Sequence, residues 1–158
     1  MARRVFFSFE YSDVWRVNQV RNSWATRGIE SAGFLDKAEF ESIEKQGDAA
    51  IARWIDQQLH GTSVTVVLVG AYTCASRWVN YEIEASKAKG NGLLGIDISM
   101  LQDQYGYTTS CCGPIPCGYN FYNWSTDDGY NNLGRWADSA YLFANPDPWQ
   151  SPVQQWPR

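Results

Sequence analysis

Glu82 is the residue of this sequence whose surroundings most suggest chemistry. It lies four residues after Trp78 in the stretch SRWVNYEIEAS, early in a predicted amphipathic helix that follows a strongly apolar strand. Residues four apart share one face of a helix, and the face that carries a tryptophan is expected to pack inward. The carboxylate therefore either lies at the rim of the core, paired with Arg77 or Lys89, or points into a pocket.

Other kinds of catalysis have few carriers in this chain. His60 is the only histidine, and its place before Gly61 at the end of a predicted helix is typical of a capping or surface residue. The sequence contains no GxSxG, GxxxxGK[ST] or GxGxxG motif, so a serine hydrolase, a P-loop ATPase and a standard dinucleotide fold are unsupported. Carboxylate chemistry remains. Besides Glu82, its candidates are Asp13, which could instead cap a helix, and Asp36, which follows a short predicted strand.

The four cysteines do not match a known metal-binding pattern. Cys111, Cys112 and Cys117 lie close together in CCGPIPC, and Cys74 lies far from them in sequence. Their spacing differs from that of zinc sites, and the single histidine is remote. We expect no metal and free thiols in a reducing compartment.

Composition and charge limit the class of protein. The chain has 158 residues, 44% hydrophobic and 19% charged, which is enough for one globular domain with a substantial core. The formal net charge of −4 argues against nucleic-acid binding. No apolar run is long enough to span a membrane, and the run after Arg3 and Arg4 ends at Glu10, too early for a signal peptide. We expect a cytoplasmic protein.

Hydrophobic periodicity predicts alternating strands and helices. Residues 37–46 and 100–118 are predicted to be loops, and residues 145–158, with four prolines, form a tail after a domain at 1–144. The predicted strands are 4–9, 32–36, 62–70, 92–98 and 119–124. The predicted helices are 12–24, 48–59, 76–89 and a final one that contains Tyr130, Leu133, Trp136, Ala137 and Ala140, with Asp127 and Asp128 as its predicted N-terminal caps.

This alternation predicts an α/β fold with a doubly wound parallel sheet of about five strands in a single domain. In the flavodoxin-like order 2-1-3-4-5, ligands bind beyond the carboxyl ends of the strands, where the strand order reverses. The segments Ser8–Asp13 and Gly70–Glu82 would then face each other across that crevice, with Glu82 near its mouth.

Several segments resemble the TIR-like family, and most closely the bacterial TIR-like proteins of the Thoeris anti-phage system. TIR domains open with a strand that ends in a Ser-aromatic pair, here Ser8 and Phe9, followed by a polar loop with an acidic residue, here Asp13. A later Trp is followed by a Glu at the fourth position, here Trp78 and Glu82. The resembling segments are RVFFSFEYSD, SVTVVLVG, SRWVNYEIEASKAKGNGLLGIDI and, in the C-terminal region, DDGYNNLGRW.

The resemblance implies an enzyme that cleaves NAD⁺ between nicotinamide and ribose, with Glu82 as the catalytic residue and NAD⁺ as substrate rather than cofactor. It further implies a cyclic or other ADP-ribose-derived signal read by an effector protein in anti-phage defence, and self-association of the domain. The remaining residues expected to bind the substrate are Ser8, Phe9, Tyr11, Asp13, Asp36 and Trp78, of which Phe9, Tyr11 and Trp78 could stack on the rings.

Two other functions remain open from the sequence. One is a TIR-like module that senses a nucleotide or binds a protein without catalysis, using the same crevice or the many aromatic side chains. The other is a receiver-like phosphorelay domain, which shares the strand order. A receiver needs clustered acids after the first strand, and Glu10 and Asp13 match that requirement poorly.

Overall fold

The computed structural model describes residues 3–25, 31–33 and 37–146. Within these ranges the strands are β1 (Val5–Phe9), β2 (Ser31–Ala32), β3 (Val64–Val69), β4 (Gly92–Asp97) and β5 (Phe121–Asn123). The helices are α1 (Val14–Ala25), α2 (Lys37–Lys45), α3 (Asp48–Leu59), α4 (Arg77–Lys89) and α5 (Gly129–Ala144), with 3₁₀ turns at Tyr11–Asp13 and Thr73–Ala75.

The five strands form one parallel sheet in the order β2-β1-β3-β4-β5, which confirms the predicted topology. Strand β3 is central and buried along its whole length, as its continuous run of β-branched residues predicts for a strand covered on both faces. The order reverses between β1 and β3, so the crevice expected for a ligand opens above the ends of these two strands.

Alternate residues of the strands face two different layers of helices, because successive side chains of a strand point to opposite faces. Val5 and Phe7 pack in the cluster that includes apolar residues of α1 and α5. Phe6, between them, packs with α3, and Val67 and Val69 of β3 pack with α4. The helices thus cover both faces of the sheet, as in a doubly wound fold.

Helix α4 has a defined beginning and end, which fixes the direction of its side chains. The Ser76 hydroxyl accepts a hydrogen bond from the Val79 amide at the N-terminus. Gly90 ends the helix in the left-handed conformation with φ of 89°, which favours glycine. The helix that carries Glu82 therefore begins and ends as predicted.

Two predictions about local structure are wrong. Residues 37–45 form helix α2 instead of a loop, because the predominantly charged segment KAEFESIEK still places Ile43 against the core cluster of α3. Asp128 occupies the N-cap position of α5, but its side chain accepts hydrogen bonds from Asn131 and does not cap the helix backbone.

The prediction of free thiols is wrong for two of the four cysteines. Cys74 and Cys112 form a disulfide across 38 positions of sequence, while Cys111 and Cys117 are free. The bond joins the segment after β3 to the loop that follows β4. Sequence spacing did not reveal this pair, because the fold and not the chain order brings the two residues together.

The loop after β4 is tied to α1 by the buried side chain of Arg16. Its guanidinium donates hydrogen bonds to the carbonyl oxygens of Leu101 and Tyr107, each at 2.8 Å. It also pairs with the buried carboxylate of Asp13 at 2.9 Å. The predicted loop at 100–118 therefore has a fixed position without forming a helix.

We expect Arg16→Met to lower the free energy of unfolding by about 3–5 kcal/mol, because the Asp13 carboxylate would remain buried without its cation. Urea unfolding measures the change. The control is Arg77→Met, which breaks an exposed ion pair with Asp48 and should cost less than about 1 kcal/mol. Equal losses in the two variants would contradict the assigned role of Arg16.

Candidate active site

A cavity of about 100 Å³ opens beyond the carboxyl end of β1, where the strand order reverses. Its lining comes from the residues at the end of β1, from Gly33 after β2, from α2 and α3, and from the first turns of α4. The topology thus places this cavity where ligands bind in open α/β sheets.

Glu82 contributes the buried carboxyl group of this cavity. Its side chain is only 7% exposed, and its Oε1 accepts a hydrogen bond from the Ser8 hydroxyl at 2.5 Å. Ser8 is fully buried on β1, so the bond joins the first strand to α4. The alternative of a rim residue is excluded, because Arg77 pairs with Asp48 and the Lys89 ammonium donates to the Thr62 carbonyl.

Burial raises the pKa of Glu82 to about 8, and the hydrogen bond from Ser8 lowers it against that trend. The carboxyl group is therefore mostly protonated at neutral pH. A cation placed beside it would favour the carboxylate and return the pKa toward its ordinary value. The site is thus suited to a ligand that carries positive charge.

Aromatic side chains accompany Glu82 in the cavity. Phe9 ends β1, Tyr11 follows two residues later, and Trp78 lies one helical turn before Glu82; all three line the cavity. The Trp78 ring also packs edge-to-face on Tyr81, with centroids 5.7 Å apart. Because Trp78 has a packing partner, its ring has a fixed orientation in which to contact a flat ligand.

Asp13 does not line this cavity. Asp13 is 3% exposed, and its Oδ1 binds Arg16. Its carboxyl group packs so closely on Gly70 that a Cβ atom there would lie 2.2 Å from Oδ2. Burial raises the pKa of Asp13, while Arg16 acts in the opposite direction. The contacts of Asp13 with Arg16 and Gly70 therefore indicate a structural role. Asp36 lies outside the described residues.

Sequence reasoning missed two polar residues of the site, Glu10 and Ser76. Both line the cavity, and both also line a shallow open groove of about 350 Å³ beside it, with Ser12, Tyr72 and Ala75. The Tyr72 ring is 68% exposed in this groove. The cavity and the groove together can receive an elongated ligand whose one end reaches Glu82.

Sequence reasoning also missed the apolar side of the cavity. We define the α2–α3 wall as the side chains of Ile43, Ile51, Trp54 and Ile55, which line the cavity. These residues belong to α2 and α3, whereas the other lining residues belong to α4 and its N-cap or lie in or just after β1 and β2. The pattern of the last three residues predicted a helix, but it gave no sign that their shared face also borders a cavity. Ile43 lies in the segment that was predicted to be a loop.

The described part of the chain shows neither a group of metal ligands nor a membrane-spanning helix. Within residues 3–25, 31–33 and 37–146, no three or more His, Cys, Asp or Glu side chains are grouped to hold a metal ion. In the same ranges, every helix falls short of the length and apolar character that crossing a bilayer requires.

The chemistry available here is that of one buried carboxyl group among aromatic and aliphatic side chains. A carboxylate in a poorly hydrated cavity can stabilise positive charge that develops on a bound sugar ring. The aromatic rings at the entrance can stack on planar groups of the ligand. This arrangement suits cleavage of a bond between a sugar and a cationic leaving group.

Known proteins are similar to this chain in sequence. The family model described as "Thoeris protein ThsB, TIR-like domain" matches residues 6–103. A protein of Bacillus cereus (strain MSX-D12), named "Putative cyclic ADP-D-ribose synthase ThsB1", is 46% identical over 144 residues, covering 89% of this chain and 74% of that protein.

A solved structure is similar in fold. The TIR domain of the Toll-related receptor TRR-2 from Hydra magnipapillata superposes with a TM-score of 0.54 at 13% identity, covering 85% of this chain and 94% of that one. At this identity the likeness concerns the fold alone. It extends beyond β4, to parts of the chain that the family model does not match.

Proposed function

Since this chain belongs to the TIR-like domain family of the Thoeris protein ThsB, we propose that it is an enzyme that cleaves NAD⁺ and forms a cyclic ADP-ribose-type nucleotide. The bond broken is the one between nicotinamide and ribose. The observation that carries the proposal is the position of Glu82, buried in the cavity and bonded to Ser8. The name of the Bacillus cereus relative supports the choice of reaction.

Glu82 acts in this proposal as the carboxylate that stabilises the transition state. The nicotinamide ring of NAD⁺ is cationic. Its approach favours the ionised form of Glu82, whose pKa is raised to about 8 by burial. Nicotinamide then departs neutral and needs no general acid. The positive charge passes to the ribose, where the carboxylate stabilises the oxocarbenium-like state and can accept hydrogen bonds from the ribose hydroxyls.

In this proposal the cavity binds one part of the dinucleotide and the open groove binds the other. The nicotinamide and its ribose occupy the cavity beside Glu82 and Trp78, while the remainder extends over Glu10 and Ser76 into the open groove. Tyr72, exposed in that groove, offers a ring on which a second base can stack. Phe9 and Tyr11 contribute two further aromatic rings to the cavity.

The biological role follows from the same family membership and remains part of the proposal. The nucleotide product would act as a signal in the cytoplasm, where an effector protein of an anti-phage system detects it. Self-association of the domain would precede or accompany catalysis. These statements concern partners and location, and they rest on the resemblance of the sequence to Thoeris proteins.

The experiment that tests the proposal is the incubation of purified protein with NAD⁺, followed by chromatography and mass spectrometry. It is run with and without lysate from phage-infected cells, in case activation requires a factor from infection. Release of nicotinamide with a co-product equal in mass to NAD⁺ less nicotinamide supports a cyclase. Tight nucleotide binding without nicotinamide release under either condition would overturn the proposal and favour a sensing module.

A further inference from the structure

We propose that Ser8 is a positioning residue: its hydroxyl holds the Glu82 carboxyl group in the orientation and charge that NAD⁺ cleavage requires. The inference rests on the proposed function and concerns the same site. It replaces the role expected for Ser8 from the sequence, which was direct contact with the substrate. Ser8 then acts on the reaction only through Glu82.

Ser8 has no surface with which to contact a ligand. Its exposed fraction is 0%. The described residues that line the cavity include Phe7 and Phe9, on either side of Ser8 in the chain, but not Ser8 itself. A residue in this position can affect a bound substrate only through a side chain that does line the cavity.

The pleat of β1 directs Ser8 toward α4. Successive side chains of a strand point to opposite faces, so Ser8 lies on the same face as Phe6. It is paired in register with Val67 of β3, which packs in the cluster that includes Val79 of α4. The side chains of Phe6 and Val67 are apolar and fully buried, so they offer the hydroxyl no hydrogen bond. A buried hydroxyl on such a surface needs a polar partner, and α4 supplies Glu82.

The hydrogen bond determines which oxygen of Glu82 faces the cavity. Oε1 accepts the bond from Ser8 at 2.5 Å, and among the described residues this carboxyl group has no second hydrogen-bond donor. The terminal torsion of a glutamate side chain is broad and roughly two-fold, so an unbonded carboxyl group exchanges its two oxygens easily. With Oε1 held against β1, Oε2 is the oxygen available to the ribose.

The same bond favours the charged form of Glu82. Burial raises the pKa of this carboxyl group to about 8, and the Ser8 hydroxyl, as a donor to the carboxylate, acts in the opposite direction. Hydrogen bonds to an ionised acceptor are stronger than those to a neutral one, so Ser8 stabilises the carboxylate more than the acid. Loss of the hydroxyl therefore leaves a carboxyl group that ionises at still higher pH.

No cation among the described residues replaces the Ser8 hydroxyl as a partner of Glu82. The three cations of its own helix have partners elsewhere, which are Asp48 for Arg77, Glu84 for Lys87 and the Thr62 carbonyl for Lys89. The carboxylates of the adjacent elements likewise accept hydrogen bonds from other groups, namely Glu10 just after β1, Asp56 in α3 and Asp97 in β4. Arg53 of α3 and the charged side chains described in α2 are exposed. Burial and the Ser8 hydroxyl are thus the two influences on the ionisation of Glu82.

The test compares Ser8→Ala with Ser8→Thr, because the first removes the hydroxyl and the second retains it on a β-branched side chain suited to a strand. The matched control is Ser86→Ala. The Ser86 and Thr65 hydroxyls are hydrogen-bonded at 2.7 Å and fully buried, so they form a second contact of the same kind between α4 and the sheet. That bond lies one helical turn after Glu82 and does not involve it.

We expect kcat/KM for nicotinamide release to rise with pH through about 8 in the wild type and in Ser86→Ala, and through a midpoint about one pH unit higher in Ser8→Ala. The wild type should then exceed Ser8→Ala by about tenfold at pH near ~6.5, but by only about twofold at pH near ~9, where most of the wild-type carboxyl group has ionised. Ser8→Thr should keep the wild-type midpoint. A general loss of packing lowers activity by the same factor at every pH, so the midpoint separates the two causes.

A Ser8→Ala midpoint equal to that of the wild type would overturn the inference, and so would an equal shift in Ser86→Ala. Ser8→Cys, whose thiol is a weaker donor, should give an intermediate midpoint and serves as a second variant should Ser8→Ala fail to fold. Carboxyl carbon NMR titration of Glu82 measures the same midpoints without substrate. Absence of nicotinamide release from the wild type would instead overturn the proposed function, while the NMR midpoints still decide whether Ser8 controls the ionisation of Glu82.

Discussion

Glu82→Gln is expected to reduce nicotinamide release from NAD⁺ by about a thousandfold or more, because a neutral amide cannot stabilise the positive charge that develops on the ribose. The amide oxygen can still accept the hydrogen bond from Ser8, so the contact between β1 and α4 is preserved. Chromatographic measurement of nicotinamide at saturating NAD⁺ gives the turnover. Circular dichroism confirms that the variant is folded.

The matched control is Glu84→Gln, which removes the same charge from the same helix two positions away. Glu84 is exposed, with a side chain 72% accessible, and it pairs with Lys87 at 3.2 Å on the helix surface. Turnover of this variant should stay within about twofold of the wild type, because surface pairs of this kind contribute little. Comparable turnover in both variants, at any level, would remove Glu82 from the catalytic role.

The same Glu82→Gln variant should be more stable than the wild type in alkaline solution. Burial raises the pKa of the wild-type carboxyl group from 4.5 to about 8 in the folded protein. Because the folded pKa is the higher one, the stabilisation is fully present below pH 4.5 and is lost as the pH rises through 8. Glutamine does not ionise, so the variant escapes this loss, which is on the order of 5 kcal/mol for a shift of this size.

Urea unfolding of the wild type, Glu82→Gln and Glu84→Gln at pH 5 and pH 9 measures this effect. At pH 5 the wild-type carboxyl group is neutral in the folded state, so the Glu82 variant and the wild type should be close in stability. At pH 9 the variant should exceed the wild type, while Glu84→Gln should follow the wild type at both values. An unchanged difference between the two pH values would show that Glu82 is already ionised in the folded cavity.

The position of Glu82 could be predicted because two independent patterns specify it. The four-residue spacing from Trp78 fixes its helical face, and the β-branched run at 64–69 fixes β3 as the central strand from which α4 follows. The strand order then directs that face toward the end of β1, where Ser8 lies. These are local and topological rules, so a single sequence carries them.

Other parts of the site depend on contacts that a single sequence does not encode locally. Charged residues dominate the composition of α2. Ile43 is the one described apolar side chain that anchors this helix, and it does so by packing against α3, which the sequence of α2 alone does not indicate. Asp13 fits the motif of a substrate-binding loop, yet Arg16, one helical turn later, recruits its carboxylate into the interior. The division of the chain into a domain at 1–144 and a tail at 145–158 stays a prediction.

The disulfide between Cys74 and Cys112 turns part of the chain into a closed loop that contains α4 and β4. A cut of the backbone at the exposed turn near Tyr105 would fall inside this loop. The two fragments would then remain one covalent molecule, with Glu82 and Ser8 on the same fragment and β5 and α5 on the other. Such a nicked protein would migrate as a single species until a reductant opened the disulfide. It would keep its sheet and its cavity as long as the disulfide stayed intact.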